Sequence, residues 1–185
     1  MKKIMLFLLL VSSTYAESPK TYLGASFGYL NENFTNADAQ ASMNSMKFKA
    51  GYGERKAYSV EFSLDYAQSK AKIFSSSNNV SSDGDRYGLN IDLVKGFDFD
   101  VYVLPFVKAG FGAGRMRVDR ELQDKLSYGA FSVGAGFLIP INEHFDLEVV
   151  YDYKKTSYEK INLISSQIRY ESNLNVLYFG FNTRF

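Results

Sequence analysis

The sequence predicts an all-β fold: an eight-stranded antiparallel up-and-down transmembrane β-barrel, preceded by a cleaved signal peptide. Three observations predict it. Apolar residues recur at every second position in eight separate segments. The connections between those segments alternate between short and long, and no stretch beyond the amino terminus is long and apolar enough for a membrane-spanning helix. Composition narrows the classes further. The 185 residues contain neither Cys nor Trp, which removes disulfide scaffolds, cysteine zinc sites and thiol chemistry. Fourteen Tyr and 16 Phe are too many for a disordered chain. A formal charge of +1, with Lys and Arg scattered, leaves no basic footprint for nucleic acid.

Met1 to Ala16 reads as an address. Lys2 and Lys3 precede the apolar run Ile4 to Val11, and Thr14 and Ala16 supply the small residues of a cleavage site. Eight apolar residues fall well short of the roughly 20 that a helical span requires. Cleavage after Ala16 would leave residues 17–185 as one barrel domain, and any membrane residence must then come from strands.

The eight segments follow in order. Leu23, Ala25, Phe27 and Tyr29 mark the first, and Met46, Phe48, Ala50 and Tyr52 the second. The third is the clearest: Tyr58, Val60, Phe62, Leu64 and Tyr66 alternate with Ser59, Glu61, Ser63, Asp65 and Ala67. Tyr87 to Leu93, Val107 to Ala113, Phe131 to Ile139, Leu147 to Tyr153 and Leu177 to Phe185 repeat the pattern. Gly53 to Lys56, Lys95 to Asp100 and Pro140 to His144 are short turns; Asn31 to Asn44, Ser69 to Gly84, Asp119 to Leu126 and Lys155 to Gln167 are longer and polar. Antiparallel strands put all short turns and both termini at one end, the layout of periplasmic turns and extracellular loops in a bacterial outer-membrane barrel. Pro105 suits the start of a strand, where it removes no ladder hydrogen bond.

Alternation alone leaves the apolar face free to look out at lipid or in at a ligand. Three features point to lipid. The polar face carries Lys47, Lys49, Lys108, Lys154 and Arg184 against Glu61, Asp65, Asp92, Asp146, Glu148 and Asp152, a near balance suited to an ion-pair network in a narrow lumen. Gly24, Gly28, Gly51, Gly110, Gly112, Gly114, Gly134 and Gly136 share that face and make room for the long charged side chains. Tyr58, Tyr66, Tyr151, Tyr153 and Phe185 crowd toward the predicted strand ends, where aromatic girdles meet the membrane interfaces.

Tyr178-Phe179-Gly180-Phe181-Asn182-Thr183-Arg184-Phe185, with Tyr22 to Tyr29 and Leu104 to Gly114, resembles the small eight-stranded outer-membrane barrel family that includes the OmpA transmembrane domain and its porin-family relatives. The resemblance covers residues 17–185 and departs at Thr183, where the family pattern prefers an aromatic. It implies that Tyr178, Gly180, Phe181 and Phe185 form the closing-strand signal read by the barrel-assembly machinery. The peptidoglycan-tethering domain of the longer relatives is not expected.

The remaining motifs read as structural. His144, the single histidine, falls on a short turn at the periplasmic end, the wrong end for the outer-leaflet acyl chemistry of barrel enzymes of similar size. Gly110, Gly112 and Gly114 keep strict period two and lack the spacing of a nucleotide loop. Asn33-Phe34-Thr35 and Asn79-Val80-Ser81 match a glycosylation sequon by accident in an exported bacterial chain. Phe34, Ile73, Phe74, Tyr158 and Ile161 are apolar residues in the expected loops, either contact points for a surface partner or rim packing.

The expectation is a non-enzymatic, cofactor-free monomer in the outer membrane. Its lumen is plugged by Lys47, Lys49, Glu61, Asp65, Asp92, Lys108, Glu148, Asp152 and Arg184, and its role is envelope integrity and adhesion-type recognition. Expected partners are outer-membrane lipid, lipopolysaccharide, the assembly machinery and an extracellular ligand at the long loops. A small ion-conducting pore and a soluble periplasmic lipocalin-like carrier are the alternatives.

Overall fold

A computed structural model describes residues 18–35, 40–68, 84–118, 125–162 and 167–185. The expected signal peptide, Ile73, Phe74 and the second sequon lie outside the described residues. Eight strands run in order: β1 Lys20–Phe34, β2 Gln40–Gly53, β3 Tyr58–Gln68, β4 Arg86–Gly96, β5 Leu104–Arg117, β6 Lys125–Pro140, β7 Phe145–Asn162 and β8 Gln167–Arg184. Each pairs antiparallel with its neighbour in sequence, and β8 returns to β1 to close the barrel. Phe185 N donates to the Thr21 carbonyl at 2.9 Å, extending the closing seam to the last residue.

The register defines the barrel's shape. One row of partners runs Gly24, Lys49, Ser63, Asn90, Gly112, Ala130, Thr156 and Ser172, and meets β1 again at Phe34. A full circuit therefore climbs from residue 24 to residue 34, a shear of ten. Eight strands about 4.7 Å apart with that shear must tilt by about 40°, leaving an interior just wide enough for side chains. At that tilt the 11 residues of β3 rise about 28 Å, close to the apolar band of an outer membrane. The 18 residues of β7 and of β8 rise about 45 Å, so they overshoot the band by well over a turn of chain.

The faces sort as the period dictates. Leu23, Phe27, Phe48, Phe62, Leu64, Leu89, Ile91 and Phe179 stand exposed on the outside, while Ser26, Lys47, Lys49, Glu61, Asp92 and Glu148 are buried within. A soluble carrier would need the opposite arrangement, and that alternative is set aside.

The expected loops at Asn31 to Asn44 and Lys155 to Gln167 differ from what forms. The β1–β2 ladder continues to Asn33↔Gln40, and the β7–β8 ladder to Asn162↔Gln167 with a register shift between Ser157 and Lys160. The physical reason is a reversal of polarity. Above the band the outside is water, so Asn31, Asn33, Ser42, Lys155 and Ser157 face out, while Leu30, Phe34, Met43, Tyr158 and Leu174 are buried inside. Period two persists; only the side that is greasy has changed. Phe34 and Tyr158 are thus interior residues with ring centroids 5.9 Å apart, and not loop contact points. Tyr151 and Tyr153 also lie mid-strand in β7 rather than at its end, where their hydroxyls donate to Asn175 and Asn173 of β8.

The two zones respond differently to charge on the outer face. Leu64→Arg, within the band, should lower the stability of the barrel refolded into lipid vesicles by about 2 to 4 kcal/mol in urea titration. Asn33→Arg, on the watery extension of β1, should change it by less than about 0.5 kcal/mol.

Candidate functional site in the barrel lumen

Inward positions on all eight strands converge on one axis, so a charge on one strand meets charges from strands opposite as well as adjacent. Lys49 Nζ lies 3.0 Å from Glu61 Oε2 and 2.5 Å from Glu148 Oε2. Ser26 donates to Glu148 Oε1 at 3.0 Å, Asn182 Nδ2 to Glu148 Oε2 at 3.1 Å, and Tyr22 to Glu61 at 3.2 Å. Asp152 Oδ2 receives Lys47 at 2.9 Å and Lys108 at 3.0 Å, and Lys108 also approaches Asp92 at 3.9 Å. Asp65 is shared by Lys154 and, at 4.0 Å, Lys47. Lys47 in turn sits over the Tyr178 ring, 4.2 Å from its centroid.

The structure therefore brings Lys47, Lys49, Glu61, Asp65, Asp92, Lys108, Glu148 and Asp152 into the middle of the lumen. Arg184 stands apart at the periplasmic mouth, with its Nε donating to Asp146 Oδ2 at 2.7 Å. Of the closing-strand residues, Tyr178 and Gly180 occupy the inward face, and Phe181 and Phe185 are exposed outside.

Glycine makes the central contacts possible. A Cβ on Gly110 would sit 2.2 Å from both Asp92 Oδ1 and the Ile91 carbonyl, and one on Gly134 would sit 2.3 Å from Asp152 Oδ1. The carboxylates lie across their neighbouring strands in space that any other residue would fill.

Three charged residues were not picked out from the sequence. Arg55, on the turn after β2, reaches Asp146 Oδ1 at 3.0 Å and donates to the carbonyls of Asn142 and Glu143, both at 2.9 Å. Glu32 and Arg86 form a second layer nearer the extracellular end, 2.8 Å apart. Tyr158 donates to Glu32 at 2.6 Å, Ser172 donates to the same oxygen, and the Arg86 guanidinium lies 4.5 Å from the Tyr128 ring centroid. Phe34, Met116, Val118 and Leu126 cover this layer with apolar packing. Among the described residues these bring the inward charges to seven cations (Lys47, Lys49, Arg55, Arg86, Lys108, Lys154 and Arg184) and seven anions (Glu32, Glu61, Asp65, Asp92, Asp146, Glu148 and Asp152); Lys95 and Asp85 are buried as well.

One cavity of about 20 Å³ lies among Tyr22, Lys49, Glu61, Phe106, Lys108 and Arg184, and another of about 20 Å³ among Leu30, Ser45, Asp65, Arg86, Tyr128 and Lys154. Each has room for roughly one water. Among the described residues, no group of three or more His, Cys, Asp or Glu is arranged to hold a metal ion. His144 sits exposed on the β6–β7 turn, where its backbone N–H donates to Asn142.

A closed eight-stranded barrel with a lipid-facing exterior and a charged interior defines the class of small outer-membrane barrels. Residues 4–185 match the family described as outer membrane protein beta-barrel domain; the chain belongs to that family, and the protein resides in the bacterial outer membrane. Among solved structures it is similar to Neisserial surface protein A, with 20% identity, a TM-score of 0.64 and 91% of this chain aligned to 100% of that one. It is also similar to the attachment invasion locus protein Ail of Yersinia pestis (16% identity, TM-score 0.58, 91% of this chain and 100% of that one). OprG, an outer membrane protein of Pseudomonas aeruginosa, aligns at 13% identity and TM-score 0.54 over 92% of this chain and 97% of that one. No curated protein matches the chain.

Asp152 is the test of the lumen's energetics. Asp152→Ala leaves Lys47 and Lys108 without their shared carboxylate. Removing one partner of a buried pair costs about 3 to 5 kcal/mol, and the loss should appear in the urea midpoint of the vesicle-embedded barrel.

Proposed function

We propose that the protein is a non-enzymatic, monomeric outer-membrane barrel with a plugged polar lumen. In this reading it supports envelope integrity and presents its extracellular wall and loops for adhesion-type recognition. The observation that supports the reading is the interleaving of cations and anions across the interior among the described residues, with cavities of about 20 Å³ between them. Carboxylates engaged by ammonium and guanidinium groups are poorly placed to act as acids or bases, which supports a non-catalytic role. Cofactors have no part in it. The names of Neisserial surface protein A and of the attachment invasion locus protein, both borne by barrels of this fold, are consistent with a surface role.

Biogenesis completes the proposal. Residues 1–16 direct export and are removed. The closing strand, through Tyr178, Gly180, Phe181 and Phe185, presents an assembly signal whose exposed aromatics Phe181 and Phe185 are available to the assembly machinery from the lipid side. Membrane lipid and lipopolysaccharide surround the finished barrel.

A pore is the competing reading. Ion passage would need the Lys49–Glu148 and Lys47–Asp152–Lys108 contacts to part, leaving buried charges without partners. The purified barrel in a planar bilayer should therefore give no steady conductance. Steady openings whose amplitude changes in Lys108→Ala would overturn the plugged lumen and establish the pore.

A further inference from the structure

Above the apolar band, one sector of the outer wall is built from uncharged amides. The outward positions there are Asn31 and Asn33 on β1, Gln40, Ser42 and Asn44 on β2, and Asn173 and Asn175 on β8. Register joins them across the seam that closes the barrel. Asn31 lies opposite Asn175 on one side and Ser42 on the other, and Asn33 lies opposite Asn173 and Gln40. Lys155 and Glu171, 3.7 Å apart, border the patch and answer one another's charge.

Three of these amides are held by their oxygens. Ser42 Oγ donates to Asn31 Oδ1 at 2.7 Å, the Tyr151 hydroxyl to Asn175 Oδ1 at 2.6 Å, and the Tyr153 hydroxyl to Asn173 Oδ1 at 2.9 Å. A carboxamide also carries two N–H donors. Among the described residues the Nδ2 groups of Asn31, Asn173 and Asn175 meet no acceptor. Fixing the oxygen turns the nitrogen away from it, so the wall presents oriented donors on strands that are already paired. On the membrane side of these donors the rings of Tyr29, Tyr151 and Tyr153 are exposed.

These features define the chemistry of an occupant. It must bring acceptor oxygens to the amide donors and an apolar face to the tyrosine rings. A phosphate or carboxylate would lose water here without a cation of the patch to receive it. A sugar ring has both parts, with hydroxyl and ether oxygens around its edge and C–H groups on its faces. We infer that the outer wall at Asn31, Asn173 and Asn175 is a binding site for an uncharged oligosaccharide of an extracellular partner. The amide N–H groups donate to its oxygens, and Tyr29 and Tyr151 lie against its C–H face. The sugars of the outer-leaflet glycolipid nearest the membrane are anionic, so the neutral wall fits a glycan from outside the membrane better than the resident one. Because the amides are held before the ligand arrives, binding costs them little side-chain freedom. The inference rests on the proposed adhesion-type reading and names the ligand class for it.

The test uses the full barrel purified into neutral detergent, with its gel mobility before and after boiling as the check of folding. Three soluble probes are titrated separately: an asialo biantennary glycan, its disialylated form, and the phosphorylated core oligosaccharide of lipopolysaccharide. The asialo glycan should bind the native barrel about tenfold more tightly than the phosphorylated core, and the disialylated form should bind no better than the asialo glycan. The triple variant Asn31→Ala, Asn173→Ala, Asn175→Ala should weaken asialo binding by about tenfold or more, whereas Lys56→Gln, on the β2–β3 turn at the other end, should leave it unchanged. The double variant Tyr151→Phe, Tyr153→Phe keeps both rings but releases two amides, and should weaken binding several-fold. No binding of the asialo glycan, or equal binding by a triple variant that keeps its heat shift, would overturn the site while leaving the barrel reading intact. Tighter binding of either anionic probe would overturn the uncharged ligand. Dimers of the native barrel that the triple variant abolishes, in the absence of glycan binding, would assign the wall to a second copy of the chain instead.

Discussion

Closure at a shear of ten is the constraint on which the rest of the molecule depends. Eight tilted strands enclose an interior just wide enough for side chains, so the inward residues of all eight strands meet there. The residues that fill it come from strands distant in sequence: Lys49 and Glu148 are 99 positions apart, and Glu32 and Ser172 are 140 apart. No local element can supply this packing alone. The ion pairs and the closing β1–β8 seam must therefore form together, and glycines such as Gly110 and Gly134 are as necessary to the core as the charges they accommodate.

A charged interior has a further physical consequence. Replacing a buried ion pair with apolar side chains of similar volume is often neutral or stabilising, so stability alone does not explain seven cations and seven anions. Register does. A one-residue slip of a strand exchanges its two faces. For β2 it would turn Lys47 and Lys49 into lipid at about 2 to 4 kcal/mol each near mid-membrane, and put Phe48 and Met46 into the lumen. Alternation also keeps every segment below the hydrophobicity of a helical span, which suits a chain that must pass the inner membrane without lodging in it. Among the described residues no helix is long and apolar enough to cross a membrane.

Within the band, period two was enough to read the strands, because lipid outside and ion pairs inside impose opposite chemistry on alternate residues. Above the band the same period carries reversed polarity, and a search for apolar residues on the outward parity ends there. That is why Asn31 to Asn44 and Lys155 to Gln167 read as loops although most of each is strand. Glu32 and Arg86 escaped notice for the same reason: both stand at the reversed end of their strands, next to residues that look like loop. Arg55 lay in a turn, and its role depends on Asp146 and the carbonyls of Asn142 and Glu143, which only the three-dimensional closure brings near. A signal was available, since Leu30, Glu32 and Phe34 keep the parity of Gly24, Ser26 and Gly28. Parity, and not hydrophobicity, is the property that survives the membrane boundary.

That continuity shapes how the outer end can work. Strands that overshoot the band by well over ten ångströms carry their hydrogen bonds with them, so the paired wall continues above the membrane, interrupted by the register shift between Ser157 and Lys160. The layer beneath the rim strengthens it: Arg86 is held between Glu32 and the Tyr128 and Tyr158 rings, under the packing of Phe34, Met116 and Leu126. Side chains on such a wall lose little backbone freedom when a ligand binds, whereas side chains on a loop must be ordered first. The paired strands that anchor the barrel in the membrane thus also fix the positions of the side chains above it.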